Sequence, residues 1–264
     1  MASRADPRVA AAVMPGSIPA PTPSLRGAVH EALSDLYYHS WRLVPANLVW
    51  AVTAVAAVVV AIFVPLGILA LAVVALPTAG LFRMSTRIAR GRAVSFRDAL
   101  DAWHHEVVAG LVLGGGLAAV AILLGANVWT GLVAGTALGW AFATLALWGL
   151  VAAWLLAWTA WPILTDPVRE RWPARERAHL AGLLVLAHPV RLGGLGIGLL
   201  VFLVASLIAT VALVTVSAAV AAVVAARFVL PAADRLDARL AFAASRGLET
   251  DRDDDVSDEE RLLV

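Results

Sequence analysis

Charge in this 264-residue sequence is confined to short blocks, and the stretches between them are apolar and long. Runs with little or no charge lie at about Asn47–Val64, Leu66–Phe82, Val107–Asn127, Leu138–Leu164, Leu192–Val214 and Ala218–Leu230. A bilayer's hydrocarbon core asks for ~20 residues of apolar helix, so each run is a candidate membrane span. The second and last are short, a deficit that tilt of neighbours or local bilayer thinning accommodates. A hydrophobic content of 61% and a mean hydropathy of +0.84 exceed what a water-soluble core can hide, since globular chains average roughly 45–50% apolar.

The first two runs are separated only by Pro65 and Gly67, which fits a tight turn between two spans or a kink in one long helix. Arginine decides between them. All 20 cationic side chains are Arg. With six spans and the N-terminus inside, the inner segments hold Arg4 to Arg42, then Arg83 to Arg97, Arg169 to Arg191, and Arg227 to Arg261. The outer connections, near Pro65, at Asn127–Ala137 and near Thr215, hold none. Five spans would turn the 83–97 cluster outward, against the positive-inside rule. The expected architecture is therefore an all-α, polytopic helix bundle of about six spans with both termini cytoplasmic and interfacial amphipathic helices on that side. The apolar run after Arg8, ending at Pro15, is too short for the core of a cleaved signal peptide.

Several helix signals refine this division. Ser24 opens a stretch with Leu25, Val29, Leu33, Leu36, Tyr37, Trp41 and Val44 at helical spacing, which predicts an interfacial helix over 24–46 ahead of a six-span domain at 47–231. Pro77 is acceptable in a membrane helix where neighbours satisfy the freed carbonyl, and Gly91 marks a helix end after Arg90. Ser95 and Asp98 read as a capping box that opens a helix running through Trp103 into the third span. Pro173 starts another helix and Pro189 separates it from the fifth span. Residues 232–248 extend the last helix into the cytoplasm. The Pro- and Ala-rich segment 1–23 and the acidic segment 249–264 are expected to be disordered tails. Trp41, Trp50, Trp103, Trp161 and Trp172 on the inner side, with Trp129 and Trp140 on the outer, suit aromatic belts.

Chemistry-bearing patterns are sparse. An ionisable side chain within a span is the default functional lead, and only Arg227 comes near one; snorkelling, or pairing with Asp234, accounts for it. His104, His105 and Glu106 adjoin at the start of the third span, but neighbours on a helix point about 100° apart and do not converge on a metal as an i, i+4 pair does. The sequence holds no zinc-helix, nucleophile-elbow, phosphate-loop or dinucleotide fingerprint and no Cys, and neither a catalytic set nor a cofactor is expected. Nothing in the charge pattern points to nucleic acid. Trp154, Trp158 and Trp161 share one face of the fourth span, an arrangement that suits packing and also the stacking of a sugar ring. Asn47, Asn127, Thr144, Thr159, Ser206 and Thr210 suit hydrogen bonds between helices. Gly110 and Gly114, Gly131, Gly135 and Gly139, and Gly194 and Gly198 allow close helix approach and, more weakly, a homo-oligomer.

The order of Asn47-Leu-Val-Trp50, Leu76-Pro-Thr-Ala-Gly-Leu-Phe82 before a basic stretch, Phe96-Arg-Asp-Ala-Leu-Asp-Ala-Trp103, Trp161-Pro162 and Ala187-His-Pro189 resembles the YesL family of bacterial multi-spanning membrane proteins, built on domain of unknown function 624. The resemblance covers roughly residues 25–240 and departs from the family pattern in the apolar insertion at about Val58–Val74. It implies a plasma-membrane protein found beside sugar transporters of the ABC type, and it transfers no catalytic residue. The expectation is a non-enzymatic accessory protein that meets the lipid bilayer and a membrane-protein partner such as a sugar ABC transporter component. Asn47, Trp50, Trp154, Trp158, Trp161 and Arg227 are the candidate contacts. A small facilitative carrier for an uncharged solute is the alternative, and an intramembrane enzyme ranks third.

Overall fold

The fold was analysed in a computed structural model, which describes residues 24–64, 67–209 and 216–261, with the backbone alone at 68 and 244–261. The described chain is helical, without strands: α1 (Leu25–Phe63), a 3₁₀ segment (Gly67–Val74), α2 (Ala75–Ala89), α3 (Phe96–His105), α4 (Val107–Ala134), α5 (Ala137–Leu164), α6 (Ala174–Ala187), α7 (Pro189–Ile208) and α8 (Ala218–Arg261). Among the described residues five helical stretches are long and apolar enough to cross a membrane: Leu25–Phe63, Leu69–Ala89, Val107–Ala134, Ala137–Leu164 and Pro189–Ile208. The expected tail at 1–23, the end of the fifth run at 210–214 and the outer connection near Thr215 lie outside the described residues.

Local chemistry explains most of the boundaries. The Ser24 hydroxyl accepts from the Gly27 N–H at 3.0 Å and opens α1. Where an interfacial helix and a first span were expected as separate pieces, α1 runs unbroken for 39 residues, roughly 60 Å, through Pro45. Pro45 removes only the hydrogen bond to the Trp41 carbonyl. Gly67 lies tight against the end of α1: its N–H donates to the Val64 carbonyl at 2.8 Å, and a Cβ there would collide with the Val60 carbonyl oxygen. The 3₁₀ segment packs back along α1, and residues 65 and 66, where the tight turn was expected, lie outside the described residues. Pro77 falls in the first turn of α2, where its missing N–H costs least. Gly91, at φ 66°, ends that helix; its N–H donates to the Ile88 carbonyl and that of Arg92 to the Arg87 carbonyl, each at 2.9 Å.

One continuity expected from the sequence is absent. The capping box forms, with the Ser95 N–H donating to Asp98 Oδ2 at 2.6 Å, but α3 stops at His105 and Glu106 breaks the chain before α4. The cause is a buried ion pair that anchors Glu106, described below.

Ala218–Leu230, the shortest candidate span, is the start of α8 and the most enclosed part of the molecule. Ala219, Ala221, Val223, Ala225, Ala226 and Val229 are fully buried, and the segment packs against α1, α2 and α5. Small side chains all round the helix let three neighbours approach it, so protein rather than lipid shields its flanks. The same helix continues to Arg261 and takes in the acidic stretch expected to be an unstructured tail; no proline follows Pro231 to stop it.

Small residues also set the other contacts. On α1, Ala28 and Ala32 are buried while the stripe Val29, Leu33, Tyr37 and Trp41 is exposed. Gly110 and Gly114 of α4 sit on Ala79 and Ala75 of α2. A Cβ at Gly131 would lie 2.5 Å from the Gly139 carbonyl oxygen, and Gly135, at φ 64°, makes the turn that brings α4 and α5 together there. Gly194 has open space around it and Gly198 only a distant contact with Leu25. In α7 it is Gly196 that meets a neighbour, the Trp154–Leu155 edge of α5.

Candidate functional site

The arginine-rich end is built from residues that stand far apart in sequence. On α2 and its cap, Arg83, Arg87 and Arg90 follow i, i+4, i+7 spacing and share one helix face. Each meets a different partner. Arg83 donates to Glu170 at 3.0 Å, Arg87 pairs with Asp98 of the capping box, and Arg90 reaches Asp166 at 2.6 Å and Asp234 at 2.7 Å. Arg169 joins the last two, pairing with Asp166, Asp234 at 2.7 Å and Asp237, and its guanidinium lies 5.7 Å from the Trp172 ring.

Burial makes this network consequential. Asp166 is 1% exposed and Arg169 2%, at a depth where an ion left unpaired is strongly disfavoured. Burial works against the charge on Arg90, yet the Asp234 and Asp166 carboxylates outweigh it and hold the guanidinium above its ordinary value. Arg169 behaves alike, with burial outweighed by Asp237, Asp234 and Asp166. Burial would raise Asp234, but Arg90 and Arg169 keep it below its ordinary value. Asp237 goes the other way: burial raises it, Arg169 opposes, and the neighbouring Asp234 and Asp166 add repulsion. The Arg83 hydrogen bond, against a smaller effect of burial, keeps Glu170 low.

A second buried pair fixes the base of α4. Arg177 of α6 donates to Glu106 Oε1 at 3.0 Å and also to the Leu164 carbonyl, with both charged side chains nearly enclosed. A third joins α8 to α1: Arg227 donates to both carboxylate oxygens of Asp35, at 2.7 and 2.9 Å, and lies 3.4 Å from Glu31. The expected Arg227–Asp234 pair does not form, because Asp234 is held by Arg90 and Arg169 and Asp35 faces Arg227 across the α1–α8 contact.

The other candidate contacts fall into structural roles. Asn47 is fully buried and its Oδ1 accepts from the Ala219 N–H at 2.9 Å, satisfying a donor at the start of α8. Trp50 donates to the Thr78 hydroxyl at 3.0 Å and Trp154 to the Gly196 carbonyl at 3.0 Å. Trp161 is not a belt residue: it is 6% exposed, stacks on Phe82 with centroids 6.0 Å apart, and backs Gly110 and Gly114. Trp158 contacts both Trp154 and Phe82. The face that suggested sugar stacking is therefore occupied by packing. Thr144 and Thr159 bond carbonyls of their own helix rather than another, and Asn127 is exposed. His104 and His105 are exposed at the end of α3, apart from the buried Glu106 beside them.

Sequence reasoning passed over Arg90, Asp166, Arg169, Asp237 and Arg177, and weighed Asp234 and Glu106 only in other roles, as a partner for Arg227 and as part of a metal cluster. For Arg83, Arg87 and Arg90 a signal existed in the i, i+4, i+7 spacing at the end of an apolar helix. For Glu106 and Arg177, 71 positions apart, none did.

Fold and site together define an all-α membrane-type helix bundle whose charged groups are knitted together at one end. The chain matches no family model, no curated protein and no solved structure.

Proposed function

We propose that the chain is a non-enzymatic accessory protein of the bacterial plasma membrane, lying with its arginine-rich end and both termini in the cytoplasm and presenting that end to a membrane-protein partner. The observation that carries this reading is a division of labour among the arginines. One set is immobilised in buried ion pairs that tie α2, α3, α8 and the α5–α6 connection into one body. A second set, Arg92, Arg97, Arg171, Arg175 and Arg239, is exposed and has no ion-pair partner among the described residues. Exposed guanidinia on a rigid base suit an acidic docking surface better than a transport path. The resemblance to the YesL family makes a component of a sugar ABC transporter the partner to seek.

Copurification from mild detergent at native expression, with crosslinks mapped to 83–105 and 164–191, tests the docking. Recovery of the chain alone would sink it. Orientation is tested separately in this Cys-free protein: a cysteine placed at Ala93 should react with an impermeant thiol reagent only from the inside, and one at Ala134 only from the outside.

A further inference from the structure

Trp148 differs from the other tryptophans along the body of α5. Trp154 donates to the Gly196 carbonyl, and Trp158 and Trp161 pack on Phe82. Trp148 is 68% exposed and has neither a hydrogen-bond nor a ring partner among the described residues. Its depth makes that consequential. α5 runs for 28 residues, roughly 42 Å, and Trp148 lies about 17 Å from its first residue. Wherever a hydrocarbon core of ~30 Å falls within that length, Trp148 is at least about 5 Å inside it. With Trp140 at the outer headgroup level, two turns away, the depth is about 12 Å. A belt tryptophan keeps its N–H at the wet edge, whereas this one holds a donor among lipid tails that offer no acceptor.

The face around Trp148 suits a second helix. α5 meets α4 through Gly139 and Ala143. At about 100° per residue, Trp148 points to the roughly opposite side. Ala141, Thr144 and Ala152 share that outward face with it, at i−7, i−4 and i+4, and all three are exposed. Small side chains there let another helix approach closely. Thr144 adds a polar group. Its hydroxyl donates to the Trp140 carbonyl at 2.9 Å, which leaves the oxygen able to accept. An unmet donor and an open acceptor thus lie one turn apart on one face, and they do not meet each other within the chain.

We infer that the outward face of α5 is the interface of a homodimer, in which Trp148 of each copy donates to Thr144 of the other across a two-fold axis along the membrane normal. A two-fold contact needs a patch that complements itself. This face does so, because the symmetry that satisfies one donor satisfies both. A different protein would have to supply an acceptor of its own, and lipid supplies none at that depth. The contact lies along α5, clear of the exposed arginines, so it stands whether or not a partner docks on them.

Because the chain has no Cys, a disulfide from a single introduced cysteine can join only two copies. In oxidised native membranes, Ala141→Cys and Ala152→Cys should each give a band at twice the mass of the chain, and Val112→Cys, exposed on α4, should not. Thr144→Val removes the acceptor at similar volume, and Trp148→Phe removes the donor and keeps an aromatic ring. In liposomes, energy transfer between full-length copies labelled at an Ala93 cysteine should show each substitution raising the dimer dissociation constant about tenfold, the effect of losing two interhelical bonds. The double substitution should raise it no further, since both remove the same bonds. Absence of the double-mass band, crosslinking as strong at V112C as at A152C, an unchanged dissociation constant in either T144V or W148F, or additive effects in the double variant would overturn the interface. A crosslinked band at another mass would assign the face to a different protein and overturn it as well.

Discussion

The two ends of the molecule are held together by different physics. At the arginine-rich end, the Leu69–Ala89 stretch that ends in α2 is 56% buried, and each arginine of α2 and its cap meets a carboxylate from another element. The α4–α5 hairpin, whose helices are 28 residues or roughly 42 Å long, has 6% and 11% of its spans buried. Its far end rests on backbone approach at Gly131 and Gly139, with Trp129 and Trp140 exposed beside the turn. One end uses directional, charged contacts between segments remote in sequence, and the other a local contact between neighbours. Lipid can replace missing side-chain contacts along the hairpin, but it cannot replace a counter-ion, so the ends should respond unequally to mutation.

The largest response is expected at Glu106 and Arg177. Arg177→Met leaves the Glu106 carboxylate buried without its cation, which costs about 3–5 kcal/mol. The double variant Arg177→Met/Glu106→Leu removes both charges and should return to within ~1 kcal/mol of the parent. Thermal unfolding of the four proteins in one detergent closes the cycle. Additive single effects would show that the pair is not coupled and that the charged end is not the stronger half.

At the hairpin, Gly131→Val places a Cβ 2.5 Å from the Gly139 carbonyl oxygen and forces the helices apart, an overpacking cost of about 1–3 kcal/mol. A destabilisation in the same unfolding assay as large as that of R177M would break the contrast between the ends. Asn47→Leu sits between the two regimes. It deprives the Ala219 N–H of its acceptor inside the bundle, and a cost of ~1–3 kcal/mol is expected for a buried donor left unsatisfied. A change of less than ~0.5 kcal/mol in that assay would show that the Ala219 N–H does not depend on the Asn47 acceptor.

The unequal ends also explain what could be read in advance. Turn and cap chemistry is local, so Ser24, Gly91, Ser95, Pro173 and Pro189 mark boundaries that the fold keeps. The run of small residues in Ala218–Leu230 was visible, but its central place depends on which helices surround it. Ion-pair partners were not legible, because a sequence supplies the inventory of arginines and carboxylates without their pairing. Arg227 shows this: Asp234 is the nearest carboxylate along the chain, yet Asp35, 192 positions away, is the one that faces it. Glu106 is a sharper case. As one of three adjacent polar residues it reads as interfacial, and only the approach of α6 reveals why it breaks the helix.

Within the charged end, Asp234 and Asp237 offer the finest test, because their environments shift them oppositely from the ordinary 3.8. Burial pushes Asp234 up but Arg90 and Arg169 push it further down, so its folded value lies below its unfolded one. Its contribution to stability is then fully present above the ordinary value and is lost as pH falls through the depressed one. Asp237 is raised, chiefly by burial, so its ionised form is the one the fold disfavours. That penalty operates above the raised value and disappears as pH falls through it. Asp234→Asn should therefore lower stability at neutral pH and flatten the acid limb of a melting-temperature profile taken from pH 8 to pH 3. Asp237→Asn should leave the acid limb in place and shift neutral stability by less than about 1 kcal/mol, since Arg169 keeps Asp166 and Asp234. A loss in D237N as large as that in D234N would mean that Arg169 depends on all three carboxylates equally, and the network would have to be treated as a single unit rather than a buried core with a dispensable rim.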